Sequence, residues 1–391
     1  MRELLFLLLP VAVWYGWIMG RNSVRNAQRK QSSILSKHYY KGLNFLLSDQ
    51  PDKAVDTLIK MISLNNDTVE THIAMGNFFR HRGELDRAIR IHQNLVSREE
   101  LSGTQRENAL SELGKDYFMA GFLERAENSY IKLLDSDKHR SAAQTHLFEI
   151  YQTTKEWDKS IELAERMLAV DNTQLHVGMQ LAHFYCEKAQ KFIKSNDFSS
   201  AYPYLRKAVD VDSHAVRPWL MLGRVYIEQG KFSEAMVALN EVPERDLSWF
   251  SEAVPLLEKA AEQLQDDALL IKSIEPHWQV CATSYLAKVK LIAKQENSDI
   301  AAKTLLEQLK KTPTMRGFKT LLSLYVTADD APADDIQTSL ALLQNLVEEQ
   351  IKQRPKYRCT NCGFSGRQIY WLCPSCKHWS VVKPIKGLDG E

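Results

Sequence analysis

The strongest chemical signal in the chain is a set of four cysteines near its C-terminus. Cys359 and Cys362 form one CxxC, and Cys373 and Cys376 form a second, with ten residues between the pairs. Each CxxC turn presents two thiolates on one side. Two such turns close a sulfur tetrahedron around a single ion, with bonds of about 2.3 Å when the ion is zinc. A tetrahedron of four thiolates suits zinc and iron alike, so the expected cofactor is one Zn or Fe ion. Two disulfides, or a thioredoxin-type dithiol, fit the doubled CxxC less well. The ten-residue spacer suits a compact hairpin. Residues 355–391 are too few to build a sufficient core, so the metal supplies much of their folding energy. Tyr357, Phe364, Tyr370, Trp371 and Trp379 are expected to pack around the site. His378 stands nearby but is not needed as a ligand. Cys186 and Cys281 fall in helical stretches and read as buried free thiols.

No Walker A loop, GxGxxG, GxSxG or HExxH sequence occurs, and the 11 histidines are dispersed. No acid–base pair stands out, so the chain reads as a non-enzyme. The 50 basic and 49 acidic residues give a formal net charge of +1, which argues against a general nucleic-acid binder. With 16 Gly and 12 Pro in 391 residues, helix breakers are scarce and helices are favoured.

The chain that precedes the four cysteines reads as a helical repeat array. Gly is followed twelve positions later by Ala at Gly42/Ala54, Gly76/Ala88, Gly114/Ala126 and Gly223/Ala235. An aromatic follows each Gly by three, at Phe45, Phe79, Tyr117 and Tyr226. The 34-residue step from Gly42 to Gly76 is the period of the tetratricopeptide repeat, which the sequence resembles. Weaker units centre on Phe148, Tyr151 and Ser160, and on Phe192 and Ala201. The pattern degrades beyond Pro243, with a further unit near Ala301. Asp329–Asp335 reads as a loop, and Ile336 to Lys352 as one more amphipathic helix. Stacked helix pairs bury a continuous core and present a concave surface to proteins or peptides. The repeat resemblance implies inward-facing polar positions at Asn77, Arg80, Asn108, Lys115, Arg217 and Arg224, a mostly basic lining suited to an acidic segment. The chaperone-type carboxylate clamp is disfavoured, because Tyr39 and Leu43 occupy its places.

Leu4 to Met19 is an apolar run whose helix rises about 24 Å, a short membrane span. From Arg21 to Ser48 there are six basic residues and no acid. This predicts an uncleaved anchor with the bulk of the chain in the cytoplasm. The expected division is 1–20 transmembrane anchor, 21–35 basic juxtamembrane linker, 36–352 tetratricopeptide-repeat solenoid and 355–391 rubredoxin-like metal-binding domain. The fold class is all-α, a superhelical solenoid with a small zinc-ribbon domain. That domain is expected to dock on the last helices and fix the shape of the array.

This order of parts, with RNSVRNAQRK after the anchor, GELDRAIRIHQNL, and the CTNCG and CPSC knuckles, resembles the bacterial lipopolysaccharide assembly protein B family. The resemblance covers nearly the whole chain. It implies a single-pass, inner-membrane adaptor facing the cytoplasm that acts with the membrane protease FtsH to promote degradation of the deacetylase LpxC. It also implies association with an inner-membrane regulator that senses lipopolysaccharide, no nucleic-acid partner, and compatibility with a homo-oligomer. The residues alone leave two alternatives: a general assembly scaffold for envelope enzymes, and a rubredoxin-type electron carrier.

Overall fold

The computed structural model describes Met19 and residues 69–171, 173–326 and 334–390. The expected anchor, the basic linker and the first repeat at Gly42/Ala54 lie outside the described residues, Met19 apart. Among the described residues, no helix is long and apolar enough to cross a membrane. The chain divides into two compact units, Met1–Thr154 and Lys155–Glu391.

In the first unit the helices are α1 (Val69–His81), α2 (Leu85–Val96), α3 (Gly103–Met119), α4 (Leu123–Ile131) and α5 (Arg140–Thr154). Helix α2 shows why such segments fold as amphipathic helices: Ala88, Ile89, His92 and Leu95 recur at helical spacing and are its buried residues. The Gly–Ala pairs mark closest approach. A Cβ on Gly76 would fall 2.2 Å from His92 Nε2, and one on Gly114 would fall 2.9 Å from Tyr130 Cζ. Ala88 and Ala126 are fully buried. Helix α3 begins with a capping box, in which Ser102 and Gln105 each accept the other's backbone N–H.

The second unit continues with α6 (Trp157–Val170), α7 (Leu175–Lys194), α8 (Phe198–Val211), α9 (Arg217–Glu228) and α10 (Phe232–Arg245). A short 3-10 turn, Leu247–Trp249, leads into α11 (Phe250–Leu264), α12 (Asp267–Ile274), α13 (Ala282–Gln295), α14 (Ser298–Lys311), α15 (Met315–Val326) and α16 (Asp334–Gln353). Each helix from α7 to α10 packs on the next in sequence, and α7, α9, α11, α13 and α15 also pack in succession. The acidic stretch is helical sooner than expected: α16 starts at Asp334. The weaker repeats are built like the strong ones. In both units a residue with positive φ ends the first helix of a pair and the next helix starts two residues later. That residue is Gly83, Gly121 or Gly230 in the strong repeats, and Asn196 or Gln265 in the weak ones. The following N–H closes back on the carbonyl five residues earlier, as Glu84 does on Phe79, Phe122 on Tyr117, Asp197 on Phe192 and Lys231 on Tyr226. Three of the repeat-marking aromatics, Phe79, Tyr117 and Tyr226, are thus also the residues whose carbonyls end the first helix.

After α16 the chain forms a small sheet of β1 (Tyr357–Cys359), β2 (Ser365–Gly366) and β3 (Val382–Pro384), in the order β2-β1-β3 with both pairings antiparallel.

Candidate metal centre

The four cysteines come from two matching turns. In the first, β1 delivers Cys359, Gly363 N–H returns to the Cys359 carbonyl at 3.1 Å, and Cys362 N–H points at Cys359 Sγ at 3.4 Å. In the second, Lys377 N–H returns to the Cys373 carbonyl at 3.0 Å. Gly363 (φ 77°) and Lys377 (φ 58°) occupy the left-handed region in the same place of each turn. A Leu372–Trp379 bridge closes the second knuckle.

The sulfur atoms all lie within 4.8 Å of one another. Cys359 Sγ and Cys376 Sγ are 3.7 Å apart, as are Cys362 Sγ and Cys373 Sγ. A regular tetrahedron with bonds of about 2.3 Å has edges of about 3.8 Å. A disulfide would need sulfurs about 2.05 Å apart. The four thiolates therefore fit one metal ion, and Cys359, Cys362, Cys373 and Cys376 would hold it with no position left open for a substrate. Such an ion supplies a structural cross-link between two turns. The sulfurs differ: hydrogen bonds from Asn361 and the backbone N–H of His378 hold the Cys376 thiol down to about 5, while burial pushes Cys373 up to about 11. His378 is exposed and hydrogen-bonds the Cys376 carbonyl rather than joining the set.

The ribbon docks on the array, although not chiefly on its last helices. Its main partners are α7, the 3-10 turn and the start of α11, up to 197 residues away in sequence. Trp371 stacks on Trp249 with centroids 4.4 Å apart, and Trp379 stacks on His183 at 4.6 Å. His183 Nε2 and Ser380 Oγ are 2.7 Å apart. Tyr357 Oη donates to Glu252 Oε1 at 2.6 Å, and Lys383 Nζ donates to Asp246 Oδ2 at 2.8 Å. Cys359, Cys373, Tyr357 and Val382 belong to the same apolar core as residues of α9 to α13. The contact to the last helices is lighter: Met315 N–H donates to the Leu388 carbonyl, and Arg354, just past α16, pairs with Asp389. Tyr357, Phe364, Tyr370 and Trp371 share one apolar cluster with Cys359, Cys373 and Cys376. Tyr357, Trp371 and Trp379 turn to the helices, while Phe364 and Tyr370 meet edge to face.

The expected groove residues fall into different settings. Arg80 is buried, with Nη1 on Asp116 Oδ1 at 2.9 Å and Nη2 on both Glu112 Oε2 and Asn77 Oδ1. Asp116 also meets His92 Nδ1 at 2.5 Å, and Lys115 pairs with Glu112 at 2.7 Å. The structure thus joins Asn77, Arg80 and Lys115 in one network between helices. Asn108 accepts from Lys138 Nζ at 3.1 Å. Arg217 is only 4% exposed, donates to Glu187 Oε1 at 2.8 Å and lies 5.5 Å from the Trp371 ring centroid. Arg224 is exposed. Cys186 and Cys281 are buried free thiols, and burial pushes Cys186 up to about 12. Sequence reading missed His183, Asp246, Trp249 and Glu252 as ribbon partners. None sits in a motif, and the only available signal was the pair of large aromatics Trp249 and Phe250 where the repeat pattern fades.

Fold and site together define a class: a tetratricopeptide-repeat scaffold with a docked four-thiolate metal ribbon. Models described as tetratricopeptide repeat match residues 71–104 and 192–249, and one described as rubredoxin metal binding domain matches residues 357–384. The chain is 40% identical over 394 residues to lipopolysaccharide assembly protein B of Escherichia coli (strain K12), covering 100% of both. It is 36% identical over 403 residues to the protein of that name from Haemophilus influenzae, again covering 100% of both. Among solved structures, the TPR2AB-domain:pHSP90 complex of yeast Sti1 matches with a TM-score of 0.35 at 18% identity, covering 71% of this chain and 97% of that one. The chain belongs to the lipopolysaccharide assembly protein B family.

Proposed function

We propose that this chain is a membrane-anchored cytoplasmic adaptor that regulates lipopolysaccharide biosynthesis by delivering LpxC to the protease FtsH at the bacterial inner membrane. A lipopolysaccharide-sensing membrane regulator is the further partner. The observation that carries the reading is identity over the full length to lipopolysaccharide assembly protein B. In this scheme residues 1–20 anchor the chain, 21–35 form a basic linker, 36–352 form the solenoid and 355–391 the metal domain. The solenoid captures substrate through reachable polar positions such as Asn108, Lys115 and Arg224. Holding substrate and protease on one membrane raises their effective concentration, so no catalytic group is required of the adaptor. The test is the half-life of LpxC after depletion of this protein. A longer half-life is expected. An unchanged half-life accompanied by envelope-assembly defects would favour the general scaffold instead.

A further inference from the structure

The ribbon is mostly basic: in residues 355–391 the acidic residues are Asp389 and Glu391, against six Lys and Arg. Residues 352–388 contain eight basic residues and no acid, whereas residues 49–351 contain 35 basic and 46 acidic residues. Three of the eight are neutralised nearby: Lys352 by Glu348 and Glu349, Arg354 by Asp389, and Lys383 by Asp246. Lys356, Arg358, Lys377 and Lys386 are exposed and have no acidic partner among the described residues. Arg367 gives one N–H to the Gln353 carbonyl.

Arg358 is the centre of this charge. Strand β1 alternates buried, exposed, buried, which sends Tyr357 and Cys359 to the helices and Arg358 to solvent. Lys356, two residues earlier, shares that outer face. Directly opposite Arg358 on β3 is Lys383, and like charges facing each other across strands destabilise a sheet. Asp246 relieves Lys383, but no acidic side chain among the described residues relieves Arg358. So small a domain has little stability to give up, so a cation held unrelieved on its central strand points to an external anion.

The face also indicates what kind of anion. The residues opposite Arg358 are Ser365 and Lys383, neither of them a large apolar side chain. Protein partners are held by buried aromatic or other large anchors at the centre of the contact. A cationic strand face whose cross-strand neighbours offer no such anchor suits a fluid layer of phosphate headgroups, where each Lys or Arg adds attraction without fixed geometry. We propose that the solvent face of the ribbon sheet, centred on Arg358, binds an anionic phospholipid surface. This rests on charge and register and is independent of any role in proteolysis.

The full chain is reconstituted with liposomes of phosphatidylcholine, or of phosphatidylcholine with about one third phosphatidylglycerol. Lysine acylation is then read by mass spectrometry at Lys356, with exposed Lys272 on α12 as the reference. Lys356 should react about five-fold more slowly on the anionic liposomes, and recover in about 0.5 M salt, where the Debye length shrinks to a few ångströms. Arg358→Glu should abolish the protection while retaining the metal. If that variant loses metal, Arg367→Glu, outside the strands, takes its place. Equal Lys356 reactivity on the two liposomes overturns the proposal, as does protection that survives in the metal-retaining variant. Protection by added polyglutamate but not by phosphatidylglycerol overturns it in favour of an acidic polypeptide partner.

Discussion

His183 joins the two parts of the second unit through a single ring. One face stacks on Trp379, Nε2 reaches Ser380, and the side chain is buried. Burial, reinforced by the Arg217 charge, holds its pKa well below the usual value of about 6.5. The sign follows from proton counting. Below about 6.5 the unfolded chain takes up a proton that the folded site refuses, so the unfolded state binds more protons there. Stability from His183 is therefore complete above about 6.5 and is lost as pH falls below it, at up to about 1.4 kcal/mol per pH unit. His183→Gln keeps a hydrogen-bonding group for Ser380 but cannot titrate. Its unfolding free energy should fall less steeply between pH 6.5 and pH 5 than that of the parent chain. Metal release and carboxylate protonation affect both proteins and cancel in the difference. Parallel profiles would show that His183 does not set the acid sensitivity of the seam.

Helices in this chain are specified where one residue type is forced, and the repeats were legible at those points. Gly223 must lack a side chain because its Cβ would lie 2.4 Å from Leu239 Cδ2 in α10. Gly230, with φ of 73°, must adopt a left-handed turn. The later repeats were faint in the sequence because they solve the same turn with costlier residues. Gln265 caps α11 at φ 55°, with its N–H shared between the Ala261 and Glu262 carbonyls, and its side chain is exposed. A non-glycine residue in that conformation costs about 1–2 kcal/mol. Two opposite outcomes should follow at the two kinds of position. Gly223→Ala should destabilise the second unit by about 1–3 kcal/mol through overpacking. Gln265→Gly should stabilise it by about 1 kcal/mol, less the extra entropy of an unfolded glycine. Denaturant midpoints at constant slope measure both. A stabilising Gly223→Ala would mean that Leu239 moves aside freely, and a destabilising Gln265→Gly that its side chain makes a contact outweighing the backbone cost.

At the scale of the whole chain, the ligand set was readable and its docking site was not. Two CxxC turns have fixed spacing, so local sequence implies the tetrahedron. The seam unites Tyr357 with Glu252, Lys383 with Asp246 and Ser380 with His183, pairs at least 105 residues apart with no spacing rule between them. Because Cys359 and Cys373 sit in the same core as α9 to α13, metal binding and helix packing form one energetic unit. A ribbon of this size has little stability without its ion. Removing the ion should therefore loosen helices that never touch it. On chelation, or in Cys373→Ser, amide exchange should accelerate at least about tenfold in α7 and in the first turns of α11, where the ribbon's stacked tryptophans cover His183 and Trp249. Helix α14 provides the internal control, because its buried residues, Ala301, Ala302, Leu305 and Leu309, belong to a separate cluster with Val289 and Leu321. Acceleration confined to residues 355–390 would make the ribbon an appendage whose metal stabilises only itself. Acceleration spreading equally into α14 would signal global unfolding rather than release of the seam. Only the intermediate pattern, α7 and α11 loosened with α14 unchanged, fits a metal centre that braces the middle of the repeat array.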